Sequence, residues 1–89
     1  MHEMGIASSV LEAVHKELLL YPGQRAAKVG LRIGEFAAVD AESLRFCFDV
    51  LVKDSPFAPL TLEIETSRGA ELDLAYLELE SENAQEVAV

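Results

Sequence analysis

The chain has 89 residues, 51% of them hydrophobic, with only five Gly and three Pro, a composition that predicts one folded domain over residues 1–80 and excludes a largely disordered chain. Sixteen Asp and Glu against seven Lys and Arg leave a formal charge of -9, which repels nucleic-acid phosphates and argues for no nucleic acid as partner. No apolar run reaches the roughly 18 residues of a membrane span and no secretion signal opens the chain, so no membrane association is expected and the compartment read from the sequence is cytoplasmic.

In chain order, the first feature is Met1-His2-Glu3. An α-amine, the backbone nitrogen of a second-position histidine and its imidazole can close adjacent chelate rings on one metal ion, with Glu3 beside them, and nitrogen-rich planar sites suit Ni(II) or Cu(II). A histidine at position 2 can equally be incidental to where a gene starts, so the tripeptide gains weight only from the rest of the chain. From about Met4 to Leu20, Ile6, Val10, Val14 and Leu18 recur at four-residue spacing, and Ala7 and Leu11 widen the stripe, predicting an amphipathic helix. Glu12 and Lys16 form an i,i+4 pair on the other face, and His15 reads as a boundary residue. Tyr21-Pro22-Gly23 ends the helix.

Ala27, Val29, Leu31 and Ile33 alternate with Lys28, Gly30 and Arg32, the period of a strand covered on one face, closed by Gly34-Glu35. Asp40 can cap a second helix that runs to about Lys53. Its core stripe is Leu44, Cys47, Phe48 and Leu51, while Phe46 and Val50 carry apolar character round one flank, which means either deep burial or a protein interface. Cys47 is the sole cysteine, so an intrachain disulfide and a cysteine-based zinc cage are both excluded. Leu60, Leu62 and Ile64 predict a second strand, and Thr66-Ser67-Arg68-Gly69 reads as a tight turn with Gly69 free to take positive φ. In the third strand Leu72 and Leu74 are out of phase with Leu77 and Leu79, and a bulge near Ala75-Tyr76 would restore the register. Residues 81–89 have no clear period and read as a flexible tail.

The order α-β-α-β-β predicts an α+β fold, a two-layer α/β sandwich with two helices on one face of a mixed three-stranded sheet. The second helix makes strands one and two parallel as a right-handed crossover, and the tight turn makes strands two and three an antiparallel pair. Lys28 and Arg32 are then expected to meet Glu63, Glu65, Glu71 or Asp73 on the outer sheet face. With helix one antiparallel to strand one, Met1-His2-Glu3 lies at the end where Gly34-Glu35 leaves the sheet and helix two begins. Glu35, Asp40 and Glu42 are therefore candidate neighbours of the metal-binding tripeptide.

Several segments together resemble a known family of nickel-insertion proteins, HypA/HybF: MHEMGI at the start, VGLRIGEFAAVDAESLRFCFDVL, the strand LEIE and the closing ELDLAYLELE. The resemblance implies the small α/β domain deduced above. It also implies a nickel site made by the Met1 amine, the ring and backbone nitrogens of His2, and Glu3. One departure is large: the family inserts a zinc domain with two CxxC pairs between LEIE and the final strand, where this chain has a few turn residues and no cysteine. No zinc is therefore expected, and zinc-linked control of nickel binding does not carry over.

What the resemblance implies about function is a metallochaperone, not an enzyme, that delivers Ni(II) to a hydrogenase precursor, with urease as a further destination and the maturation GTPase HypB as partner. The alternative reading is an interaction module that has lost metal handling and uses Phe46 and Val50 to hold HypB or to form a homodimer.

Overall fold

The computed structural model describes residues 2–82, arranged as α1 (Glu3–Leu18), β1 (Gln24–Gly34), α2 (Ala41–Lys53), β2 (Thr61–Ser67) and β3 (Leu72–Ser81). This is the expected α+β sandwich, with a mixed sheet of three strands and two helices. Met1 and residues 83–89 lie outside the described residues, and with them most of the expected tail. Ser81 still belongs to β3, and the Glu82 amide donates to the Gly23 carbonyl at 3.0 Å. No helix among the described residues is long and apolar enough to cross a membrane.

The core forms where the periodic faces meet. Ala7, Val10, Leu11 and Val14 of α1 pack with Leu44, Phe48 and Val52 of α2 over Ala26, Val29, Leu31 and Ile33 of β1 and Leu62 of β2. Ile6, Leu18, Cys47 and Leu51 line its margin half-buried, so Cys47 is a border residue rather than a fully buried one. The stripe on α2 runs Leu44, Phe48, Val52, one strict four-residue row, which takes Val52 deeper than Leu51.

Strand order is β2-β1-β3, which corrects the expected β2–β3 hairpin. β1 is central, parallel to β2 and antiparallel to β3. The link from β2 to β3 crosses over the end of β1: Glu35 donates to the Ser67 carbonyl, Phe36 to Gly69 and Gly34 to Glu71, at 2.8–3.0 Å. Three amides of the β1 exit thus hold the crossing, an arrangement that a sequence rich in turn residues does not reveal. Gly34 is required beneath it, because a Cβ there would lie 2.1 Å from the Gly69 oxygen. Gly69 itself does not adopt positive φ, contrary to expectation; the left-handed glycine is Gly23, at φ 81 in the turn after α1.

The bulge expected near Ala75-Tyr76 is present: Gly30 pairs with Tyr76 and Leu31 with Leu74, leaving Ala75 unpaired. Because directly opposed residues share a face, Leu72, Leu74, Leu77 and Leu79 all point inward with Ile33, Leu31, Val29 and Ala26. A second irregularity lies at Ala27, so Ala26 and not Ala27 takes the buried position.

On the outer face the expected cross-strand ion pairs form between β1 and β2, Lys28 with Glu63 at 3.3 Å and Arg32 with Glu65 at 2.9 Å. Arg25 adds a bond to Glu80 on β3 at 2.7 Å. Glu71 takes no part in this ladder; its carboxylate lies against Gly69 in the crossing link. Tyr76 lies across Gly30 and donates its hydroxyl to Glu63, spanning all three strands.

Candidate metal centre

Both helices begin at the end of the sheet where β1 and β2 finish and β3 starts, which brings the N-terminus of α1 against that of α2. The contact is specific: the Asp40 amide donates to Glu3 Oε2 at 3.0 Å. Asp40 is the N-cap of α2, and its own carboxylate accepts from the Glu42 and Ser43 amides at 3.0 and 3.2 Å. A Glu at the first position of one helix is therefore tied to the cap of the other, fixing where Glu3 sits on the fold.

The electrostatics follow from that placement. Two helix N-termini face the same region, and their unpaired amides carry partial positive charge that disfavours a cation. Glu3, Asp40 and Glu42 set carboxylates in this field. The Glu3 carboxyl is held below its ordinary pKa, first by the Asp40 amide and next by its own amide, with desolvation opposing. It is thus kept as a carboxylate, the form that can also face a metal ion.

His2 is the N-cap of α1, with extended backbone at φ -88 and ψ 97, and its side chain makes no capping bond. Its carbonyl accepts from the Ile6 amide at 3.1 Å, so the helix engages the residue through its oxygen. The imidazole is exposed, and it stands at the mouth of a groove that also touches Leu72 and Asp73. Among the described residues no group of three or more His, Cys, Asp and Glu side chains is placed to hold a metal ion. The chelate expected from the sequence would take two of its four donors, the Met1 amine and the His2 backbone nitrogen, from outside the side chains, and Met1 lies outside the described residues.

Of the expected neighbours, Asp40 meets Glu3 through its backbone while its carboxylate is occupied by capping. Glu42 contributes its amide to that cap. Glu35 is held in place by its amide on Ser67, and no hydrogen bond joins its side chain to His2 or Glu3. The amide-to-carboxylate tie itself has no signature in the sequence. The Asp40 capping signal is visible there, but a backbone donor has no residue type to announce it. Two further buried oxygens, Ser67 Oγ and Glu71 Oε1, have no hydrogen-bond partner among the described residues and lie at the two ends of the link that crosses this same end.

Comparison with known proteins agrees with the resemblance. Residues 1–79 match the family described as "HypA: Hydrogenase/urease nickel incorporation, metallochaperone". Curated relatives named "Hydrogenase maturation factor HypA" include one from Methanopyrus kandleri, 44% identical over 78% of this chain and 49% of its own length. Another, from Desulfatibacillum aliphaticivorans, is 42% identical over 73% of this chain and 51% of its own, and one from Azoarcus sp. is 40% identical over 79% and 61%. The chain thus spans about half to three fifths of the length of these relatives. No solved structure matches it. These matches show that the chain belongs to the HypA family of hydrogenase/urease nickel incorporation metallochaperones.

Proposed function

We propose that this chain is a nickel-binding metallochaperone module that carries Ni(II) for hydrogenase maturation, its cargo held by the Met1 amine, the backbone and ring nitrogens of His2, and Glu3. It acts as a carrier in the cytoplasm and not as an enzyme, with HypB and a hydrogenase precursor as its partners. With one cysteine in the chain, it does so without a zinc centre. The observation that carries the reading is the division of labour at the start of α1: Glu3 is tied to Asp40, while the His2 imidazole makes no cap and faces solvent. A claw built this way has a fixed root and a solvent-facing grip open to ligand exchange, and the Glu3 carboxylate offsets the helix dipoles that oppose a cation. Amine and imidazole must both lose protons to bind, so nickel affinity falls as the pH is lowered.

The test is a nickel titration of untagged protein starting at Met1, beside His2→Ala and a form carrying two extra N-terminal residues. Both altered proteins should lose most of the affinity, because one lacks the ring and the other displaces the amine. Equal affinity in all three overturns the proposal.

A second reading rests on one observation. Phe46 is 69% exposed and Val50 48% exposed on the outer flank of α2, so the wide apolar arc of that helix is surface, not core. Such a flank suits contact with HypB or with a second copy of the chain. Phe46→Glu should then abolish association seen by light scattering while leaving nickel binding intact.

A further inference from the structure

The two ends of the sandwich are closed differently. At the end where α1 and α2 begin, the link through residues 68–71 crosses over β1. At the other end, where α1 finishes, β1 starts and β3 runs out, a hollow of about 490 Å³ opens between helix and sheet. Its apolar walls are Leu11 and Leu18 of α1, Ala26 of β1, and Pro56 and Phe57 from the segment between α2 and β2. Leu11 and Ala26 belong to the core itself, while Leu18 and Phe57 border it only partly buried, so the hollow leads from the surface to the core.

The path of the chain leads to the same place. Ser81 pairs with Gln24, the first residue of β1, so the central strand offers β3 no partner further on. The Glu82 amide closes on the Gly23 carbonyl at 3.0 Å, and Glu82 itself lines the hollow. Residues 83–89 follow, and among them Val87-Ala88-Val89 is the one apolar run. An extended chain covers up to about 17 Å between Glu82 and Val87, enough to enter a hollow whose rim is the residue it departs from.

Tethering also favours this occupant over any free one. A short linker sets the effective concentration of the segment at the hollow on the order of millimolar, so a contact too weak to hold a separate peptide is populated here. A second whole copy would instead bring a charge of -9 against -9, whereas residues 83–89 carry one charged side chain, Glu86. The family match ends at residue 79, so membership assigns this segment no role.

We propose that residues 83–89 fold back from the end of β3 and seat Val87 and Val89 in this hollow, closing the core at the end away from the candidate metal centre. The contact ties together the end of α1, the start of β1 and the segment that carries Phe57. It is independent of nickel binding, and it is tested on the metal-free chain of 89 residues.

In NMR spectra of that chain, the methyl groups of Val87 and Val89 should show nuclear Overhauser contacts to the Phe57 ring and the Leu18 methyls, unchanged on dilution. Val87→Asp with Val89→Asp should move the amide signals of Leu18, Ala26 and Phe57 and raise the unfolding equilibrium constant in urea about tenfold. Ala84→Asp, outside the apolar run, should change that constant less than about twofold. A chain ending at Glu82 should reproduce the effects of the double substitution. The proposal is overturned if the valine methyls contact no residue of the hollow, or if the double substitution is as silent as Ala84→Asp. It is equally overturned if, in a mixture of differently labelled chains, the contacts run between molecules, since the hollow then takes the segment of a second copy.

Discussion

β2 and β3 flank the same central strand and carry the same alternation of leucine with acid, yet one is covered along the core and the other only in part. Leu60 and Leu62 on the β2 side are buried beneath α2, whereas Leu72 and Leu74 on β3 stay more than a third exposed. The difference arises from connection rather than composition. A parallel neighbour must be reached by a crossover, and here the crossover is α2, which necessarily lies over the strand it leads to. The link to β3 is a short crossing at the sheet end and brings no cover with it.

The sharpest way to break this comparison is paired truncation. Leu62→Ala should cost about 2–5 kcal/mol in urea unfolding, because it opens a cavity in a packed interior. Leu74→Ala should cost roughly 1 kcal/mol, since much of that side chain already meets water. Equal losses would mean that β3 is covered as fully as β2.

A smaller effect sharpens how the outer face binds the two flanks together. Any Cβ on Gly30 would meet the Tyr76 ring at 2.1 Å, and that ring reaches across β1 to Glu63. Gly30→Ala should cost about 1–3 kcal/mol by overpacking. In a Tyr76→Ala background the same change should cost much less, and a double-mutant cycle reads the coupling.

The smallest effect concerns the end where the helices start. The folded-state pKa of Glu3 is lowered, so its contribution to stability is present above the ordinary carboxyl value of 4.5 and disappears as pH falls through the folded value. Glu3→Gln should therefore lower stability at neutral pH and make no difference in strong acid. Unfolding midpoints of the two proteins should converge as pH is taken below 4.5.

Much of this fold could be read from residue periods because burial imposes them. The flip of phase between Leu74 and Leu77 located the bulge at Ala75, since inward leucines on both sides of it admit no other register. The second irregularity, at Ala27, was silent because Ala26 and Ala27 are the same residue and either could have been the buried one. The turn residues 66–69 marked a change of direction, but not which strand the chain would pair with next. In the site, position was legible and contact was not: helix direction put Glu3 near Asp40, while the bond between them uses a backbone amide that any residue would supply.

Residues 68–71 pass over the end of β1 with the outer two of the three anchors, Ser67 on one side and Glu71 on the other, straddling the central strand. That strand separates the anchors by about 10 Å, twice the spacing between adjacent strands. A longer segment spliced between them would hang from a pair of footings rather than a single tether. It would rock about the line joining them, like a hinged flap, and each swing would carry it toward or away from the start of α1.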